Sequence, residues 1–294
     1  MKQGVASLVL VFICGALSFV SFSNEGEPRA ACVLYSHGAA VHAGVSKADQ
    51  DIAGWFASIL TGDPESGMAV EAGVHTFFGI ATGSIEKGDV LRAQALCAAR
   101  LPDDGALVSV GYSAGGGALW DLTAGRNVES EVAALHRQYR ELAEEKGLLI
   151  RLVLIDSFTR IGGWGWIPGV AQAQPMSKAN IDAIGAFLLQ GHAILAVHFG
   201  GHGPWHGVSV VQNTTDGTYR EMRKTRDSLL GVSEDMGTEL RFDVFGPESD
   251  VLAFWNGPNP LGDLDHKSFS QSDHTCLAFI ELVVEWFDSF CEIK

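Results

Sequence analysis

The chain has 294 residues, 47% of them hydrophobic and 19% charged, an ordinary balance for a globular protein built on one large core. Its formal net charge is −15 and its basic residues are not clustered. That argues against a nucleic-acid partner and against attraction to an anionic membrane surface.

Residues 1–23 read as a leader. Lys2 supplies a short positive start, Val5 to Phe22 is apolar, and Ser21-Phe22-Ser23 places small residues at a cleavage site. Export is therefore expected, secreted or periplasmic, with 24–294 as a single mature domain. The alternative is a membrane anchor formed by residues 5–22. Cleavage leaves Cys32, Cys97, Cys276 and Cys291. Cys276 and Cys291 fall on one predicted helix about 22 Å apart, too far to pair. Cys32 begins a strand and Cys97 ends a helix, which makes them the expected bridge. Cys291 competes for that bridge, and buried free thiols are the remaining alternative.

The elements follow in order. Val33-Leu34-Tyr35-Ser36 is a strand that runs into the small turn His37-Gly38-Ala39-Ala40. Helical spacing spans 48–60, a strand-like run covers 74–80, and a helix is expected over 85–101. Ala106-Leu107-Val108-Ser109-Val110 is a strand that ends in Gly111-Tyr112-Ser113-Ala114-Gly115 and two more glycines. An amphipathic helix is expected over 128–146, with Asn127 at its start and Gly147 at its end. The apolar strand 148–155 stops at Asp156, where a carboxyl edge gathers functional groups.

Loop insertions are expected around 158–190, with Trp164 and Trp166, and around 198–235, with a short helix at 181–190. The strand 193–197 lies between them. His192, His198, His202 and His206 surround and follow that strand. Three recur every fourth residue, as metal ligands do on a helix, but the intervening glycines and Pro204 argue for a loop, and no metal is assigned. A strand is expected at 208–212, followed by the glycosylation-type triplet Asn213-Thr214-Thr215. The last strand is 239–245. A helix over 275–290 is expected to bury Leu277, Ile280, Val283, Val284 and Phe287.

The alternation of strands and helices predicts an α/β fold, a mostly parallel sheet with flanking helices. Gly111–Gly115 carries the G-x-S-x-G spacing in a strand–turn–helix context. With His37-Gly38 and Ser272-Asp273-His274, it makes the chain resemble the α/β-hydrolase superfamily, from about Cys32 to the C-terminus. The resemblance implies Ser113 as nucleophile and His274 as base, with His266 as the alternative base. It implies Asp156 as acid, as in thioesterase-like members, with Asp250 or Glu248, one strand later, as the alternative. Backbone N–H groups of Ala39 and Ala114 would hold the oxyanion.

The implied activity is acyl-ester cleavage on a small-molecule or lipid substrate, with no cofactor and no stable protein partner. Its alternatives are a thioesterase, a non-catalytic exported binding protein on the same scaffold, and a metal-dependent hydrolase using the 198–206 loop.

Overall fold

Aliphatic and β-branched runs of five to eight residues build one six-stranded sheet. The computed structural model describes residues 18–22, 29–36, 87–126, 128–159, 176–199, 208–236, 240–246, 279, 281–283 and 286. The strands are β1 (Ser18–Phe22), β2 (Arg29–Ser36), β3 (Ala106–Tyr112), β4 (Leu149–Ile155), β5 (Ala193–Val197) and β6 (Arg241–Phe245). They lie side by side in chain order. β1 is antiparallel to β2, and β2 through β6 are all parallel.

The general expectation of an α/β protein is therefore met by five parallel strands joined through helical crossovers. β3 and β5 are buried at every position and β4 at all but its first. Burial of successive side chains means that both faces of the sheet are covered. β6 alternates between buried and half-buried residues, as suits an edge strand. β1 comes from the segment expected as a leader. It pairs with β2 at each of its five residues.

The described helices are α1 (Lys87–Arg100), α2 (Ala114–Thr123), α3 (Ser130–Glu145), α4 (Lys178–Leu189) and α5 (Val208–Met236). Thus the segments read as insertions contain the crossover helices α4 and α5. α4 starts at a capping box, in which Ser177 and Asn180 bond each other's backbone N–H. α3 follows Glu129, whose side chain makes no cap, and Asn127 lies outside the described residues.

The strand expected at 208–212 is corrected. Those residues are the first turns of the 29-residue helix α5. Their β-branched composition favours a strand locally, but the following segment buries Thr215, Thr218, Tyr219, Met222, Thr225 and Leu229. That is helical spacing, and packing of the stripe overrides local preference. Asn213-Thr214-Thr215 is therefore helical, and Thr215 is fully buried. In the C-terminal segment the buried side includes Phe279, Leu282, Val283 and Trp286. Phe279, Leu282 and Trp286 were not on the expected face. The runs at 48–60 and 74–80 lie outside the described residues.

A charged network ties α5 to α2 and α1. Arg126 bonds Asp121 through Nε at 2.7 Å and Glu221 through Nη1 at 2.8 Å. Trp120 donates its indole N–H to Glu221 at 2.8 Å, and Lys87 bonds Asp121 at 2.7 Å. Burial disfavours the Arg126 cation, but its bonds to Glu221 and Asp121 raise its pKa.

Cys32 of β2 and Cys97 of α1 form a disulfide, with Cα atoms 6.0 Å apart and both residues fully buried. It closes a loop of 65 residues. The chain-entropy model assigns such a loop about 4 kcal/mol. The Cys32→Ser/Cys97→Ser double variant should show a urea midpoint lowered accordingly, and an unchanged midpoint would mean that the bridge does not constrain the unfolded chain.

Candidate active site

The sheet register aligns three side chains with chemical potential. Tyr112, Ile155, Val197 and Phe245 pair across β3, β4, β5 and β6. Ser113, Asp156 and His198 are the residues that follow the first three. Each extends the ladder by one bond: Ser113 N–H to the Ile155 carbonyl at 2.9 Å, Asp156 N–H to Val197 at 2.7 Å, and His198 N–H to Phe245 at 2.8 Å. Adjacent strands are about 4.8 Å apart, so the three form a row along the carboxyl edge of the sheet, where open α/β sheets place their functional groups.

Ser113 has φ 55° and ψ −120° and immediately precedes α2. A non-glycine residue at positive φ is uncommon and stores backbone strain, which marks functional turns. The turn is locked from several sides. The Ser113 carbonyl accepts from Gly117 N–H and from Phe158 N–H, both at 3.1 Å. A Cβ on Gly111 would lie 2.6 Å from the Gly116 Cα. One on Gly116 would collide with the Ser157 side chain and lie 2.7 Å from the Gly111 carbonyl oxygen. One on Gly117 would overlap the Phe158 carbonyl. The glycine run after the serine is thus what lets α2 start directly against the ends of β3 and β4.

The Ser113 hydroxyl makes no cap on α2. Its carbonyl takes the first intrahelical bond, from Gly117, so the N–H groups of Ala114, Gly115 and Gly116 have no acceptor within the helix. A helix start of this kind favours negative charge.

Asp156 also has positive φ, at 41°, and is fully buried. Its Oδ1 accepts from the Phe199 N–H at 3.1 Å and bonds His198 Nδ1 at 2.7 Å. The other ring nitrogen of His198, Nε2, bonds Asp216 Oδ1 of α5 at 2.8 Å. The His198 ring stacks on Tyr219 with centroids 4.7 Å apart, and Tyr219 in turn carries the Arg223 guanidinium at 5.7 Å. Burial alone would lower the His198 pKa, but the bond to Asp156 and the charges of Asp156 and Asp216 outweigh it and raise the pKa above its ordinary value.

Of the residues expected at the site, the structure brings Ser113, Ala114 and Asp156 to one edge. Ala39, His274, His266, Asp250 and Glu248 lie outside the described residues, as do His202 and His206 of the glycine-rich loop. Sequence reasoning missed His198 and Asp216 as partners of the acid. For His198 a signal was present: it directly follows an apolar strand, as Ser113 and Asp156 do. For Asp216 there was none, because it sits on a helix read as a strand and loop. Among the described residues no group of three potential ligands could hold a metal ion, and no helix is long and apolar enough to cross a membrane.

His192 has a different place. It precedes β5, accepts the Ile150 N–H on Nδ1 at 3.2 Å, and packs on Phe187 with centroids 4.6 Å apart. Burial, and then the charges of Arg140 and Arg151, lower its pKa to about 3. It stays neutral in the fold while the unfolded chain titrates near the ordinary value of about 6.5. Its share of stability is therefore complete above about pH 6.5 and is lost as pH falls from there toward 3, at up to about 1.4 kcal/mol per pH unit. Urea unfolding from pH 7 to pH 4 should show this loss, and His192→Asn should flatten it. An equal slope in the variant would sink the assignment.

No family model, no curated protein and no solved structure matches the chain.

Proposed function

We propose that the protein is an exported serine hydrolase of the α/β-hydrolase type that cleaves carboxylic esters of small molecules or lipids through an acyl-enzyme on Ser113. The observation that carries this reading is the backbone of Ser113. A serine held at positive φ sits between a parallel strand and a glycine-lined helix start, directly before helix N–H groups that have no acceptor within the helix. A turn with no chemical role has no need of serine there, since glycine holds the same φ without strain.

Serine needs a base, and the base needs a carboxylate to orient it. Asp156, one strand over, supplies the carboxylate. His274 is assigned as the base: it takes the Ser113 proton as Oγ bonds to the acyl carbon. The Ala114 N–H, with that of Ala39, stabilises the oxyanion. His274 then protonates the departing alcohol. Water, deprotonated by His274, attacks the acyl-enzyme, and the proton returns to Ser113 as the carboxylic acid leaves.

One observation favours His198 as the base instead, because its Nδ1 is bonded to Asp156. The same structure argues against it. The nitrogen that would have to face Ser113 is bonded to Asp216, and an imidazole that donates from both nitrogens cannot accept a proton.

The test is covalent labelling with a fluorophosphonate, followed by hydrolysis of p-nitrophenyl esters of increasing acyl length. Modification at Ser113 and a defined chain-length optimum are expected. Folded protein that neither labels nor hydrolyses would replace the enzyme with a binding protein. Faster turnover of acyl thioesters than of the matched esters would move the substrate class to thioesters.

A further inference from the structure

We propose that His198 is a positioning residue for Asp156, held in place from α5 by Asp216. The inference rests on the reading of Ser113 and Asp156 as nucleophile and acid. Two bonds and one ring contact carry it. His198 Nδ1 lies 2.7 Å from Asp156 Oδ1, its Nε2 lies 2.8 Å from Asp216 Oδ1, and its ring stacks on Tyr219.

Ionised carboxylates only accept hydrogen bonds, so an imidazole between two of them donates from both nitrogens and is the cation. It is not a spare base. It is a fixed positive charge beside a fully buried carboxylate, and a buried charge requires such compensation.

The bond also selects an oxygen. Asp156 Oδ1 already takes the Phe199 N–H and His198 Nδ1. Those two donors come from consecutive residues at the end of β5, so they fix the rotation of the carboxylate about its own axis. Tyr219 restrains the imidazole plane from one face, and Asp216 stops it from swinging away from Asp156. α5, anchored through Glu221 to Arg126 and Trp120, supplies the backing. A helix that packs against β5 and β6 thus sets the orientation of the acid.

The experiment titrates active sites with the fluorophosphonate and reports kcat per titrated Ser113. That separates a positioning effect from lost protein, because a purely structural defect lowers the number of sites and leaves the rate per site intact. His198→Ala should lower kcat per site about 100-fold, the scale of a misplaced catalytic group, with KM little changed. His198→Asn keeps an N–H donor near the place of Nδ1 for Asp156 and should recover part of that loss. Asp216→Ala should cost about 10-fold, like loss of the partner behind a ligating histidine.

The inference is overturned if His198→Ala turns over at the wild-type rate per titrated site, or if His198→Asn recovers nothing. A wild-type protein that does not titrate at Ser113 is a separate result. It overturns the hydrolase reading, and this inference with it.

Discussion

Ser113→Ala is expected to lower kcat/KM for the ester substrate by about 10⁴-fold or more and to leave the protein folded. The hydroxyl makes no cap on α2, so its removal takes the nucleophile of the proposed mechanism and little else. Alanine held at the same φ of 55° would carry the strain of the wild type. Ser113→Gly is the informative companion. Glycine reaches positive φ at no steric cost, and the glycine variant should exceed the alanine variant in unfolding free energy by about 1 kcal/mol. Both should be inactive toward p-nitrophenyl esters and unlabelled by fluorophosphonate. Activity that survives in either variant would remove the serine from the mechanism. Equal stability of the two would mean that the turn relaxes and that strain has no part in presenting the hydroxyl.

A large loss of stability is expected at Gly117. An alanine methyl there would overlap the Phe158 carbonyl oxygen and lie 2.6 Å from the Phe158 carbonyl carbon and 3.2 Å from the Thr159 nitrogen. These are backbone atoms and cannot turn aside as a side chain can. Either α2 or the 158–159 segment has to move. That segment is held by Phe158 N–H to the Ser113 carbonyl and by Thr159 N–H to Thr218 Oγ1, at 3.1 Å each. Gly117→Ala should therefore cost about 3 kcal/mol or more and disturb the turn that carries Ser113. Gly231→Ala is the control. It is also a helical glycine, on α5, but no atom lies within 4 Å of its added methyl, so it should be neutral or raise stability by up to about 1 kcal/mol. Chemical denaturation of the pair decides the matter. Equal effects would show that helix preference, and not the close approach of α2 to Phe158, governs both sites.

Much of the sheet was legible because its central strands are buried on both faces, which leaves an unbroken apolar run in the sequence. The expected strands at 148–155 and 193–197 match β4 and β5 to within a residue. The glycine-flanked serine was legible because the turn leaves no room for a Cβ at Gly111, Gly116 or Gly117. The pairing of Cys32 with Cys97 followed from the place of each cysteine in its element. α5 was not legible, since its first turns carry Val208, Val210 and Val211, which favour strands. Its helical state depends on a stripe that includes four threonines and serines at 215, 218, 225 and 233, polar residues that a hydrophobic pattern does not count. With α5 misread, Asp216 had no visible route to the strand ends. His198 was then grouped with the histidines that follow it in the chain, and not with the aspartate beside it in space.

The three extra ladder bonds have a consequence for how the protein loses function. The amides of Ser113, Asp156 and His198 belong to the parallel core and not to the loops above it. They open only when the central strands separate, so their hydrogen exchange should be among the slowest in the chain, with opening energies close to that of global unfolding. Warming the protein should therefore spare these three backbone positions until the sheet itself gives way. On the proposed mechanism, inactivation that comes earlier on heating would have its origin outside this row.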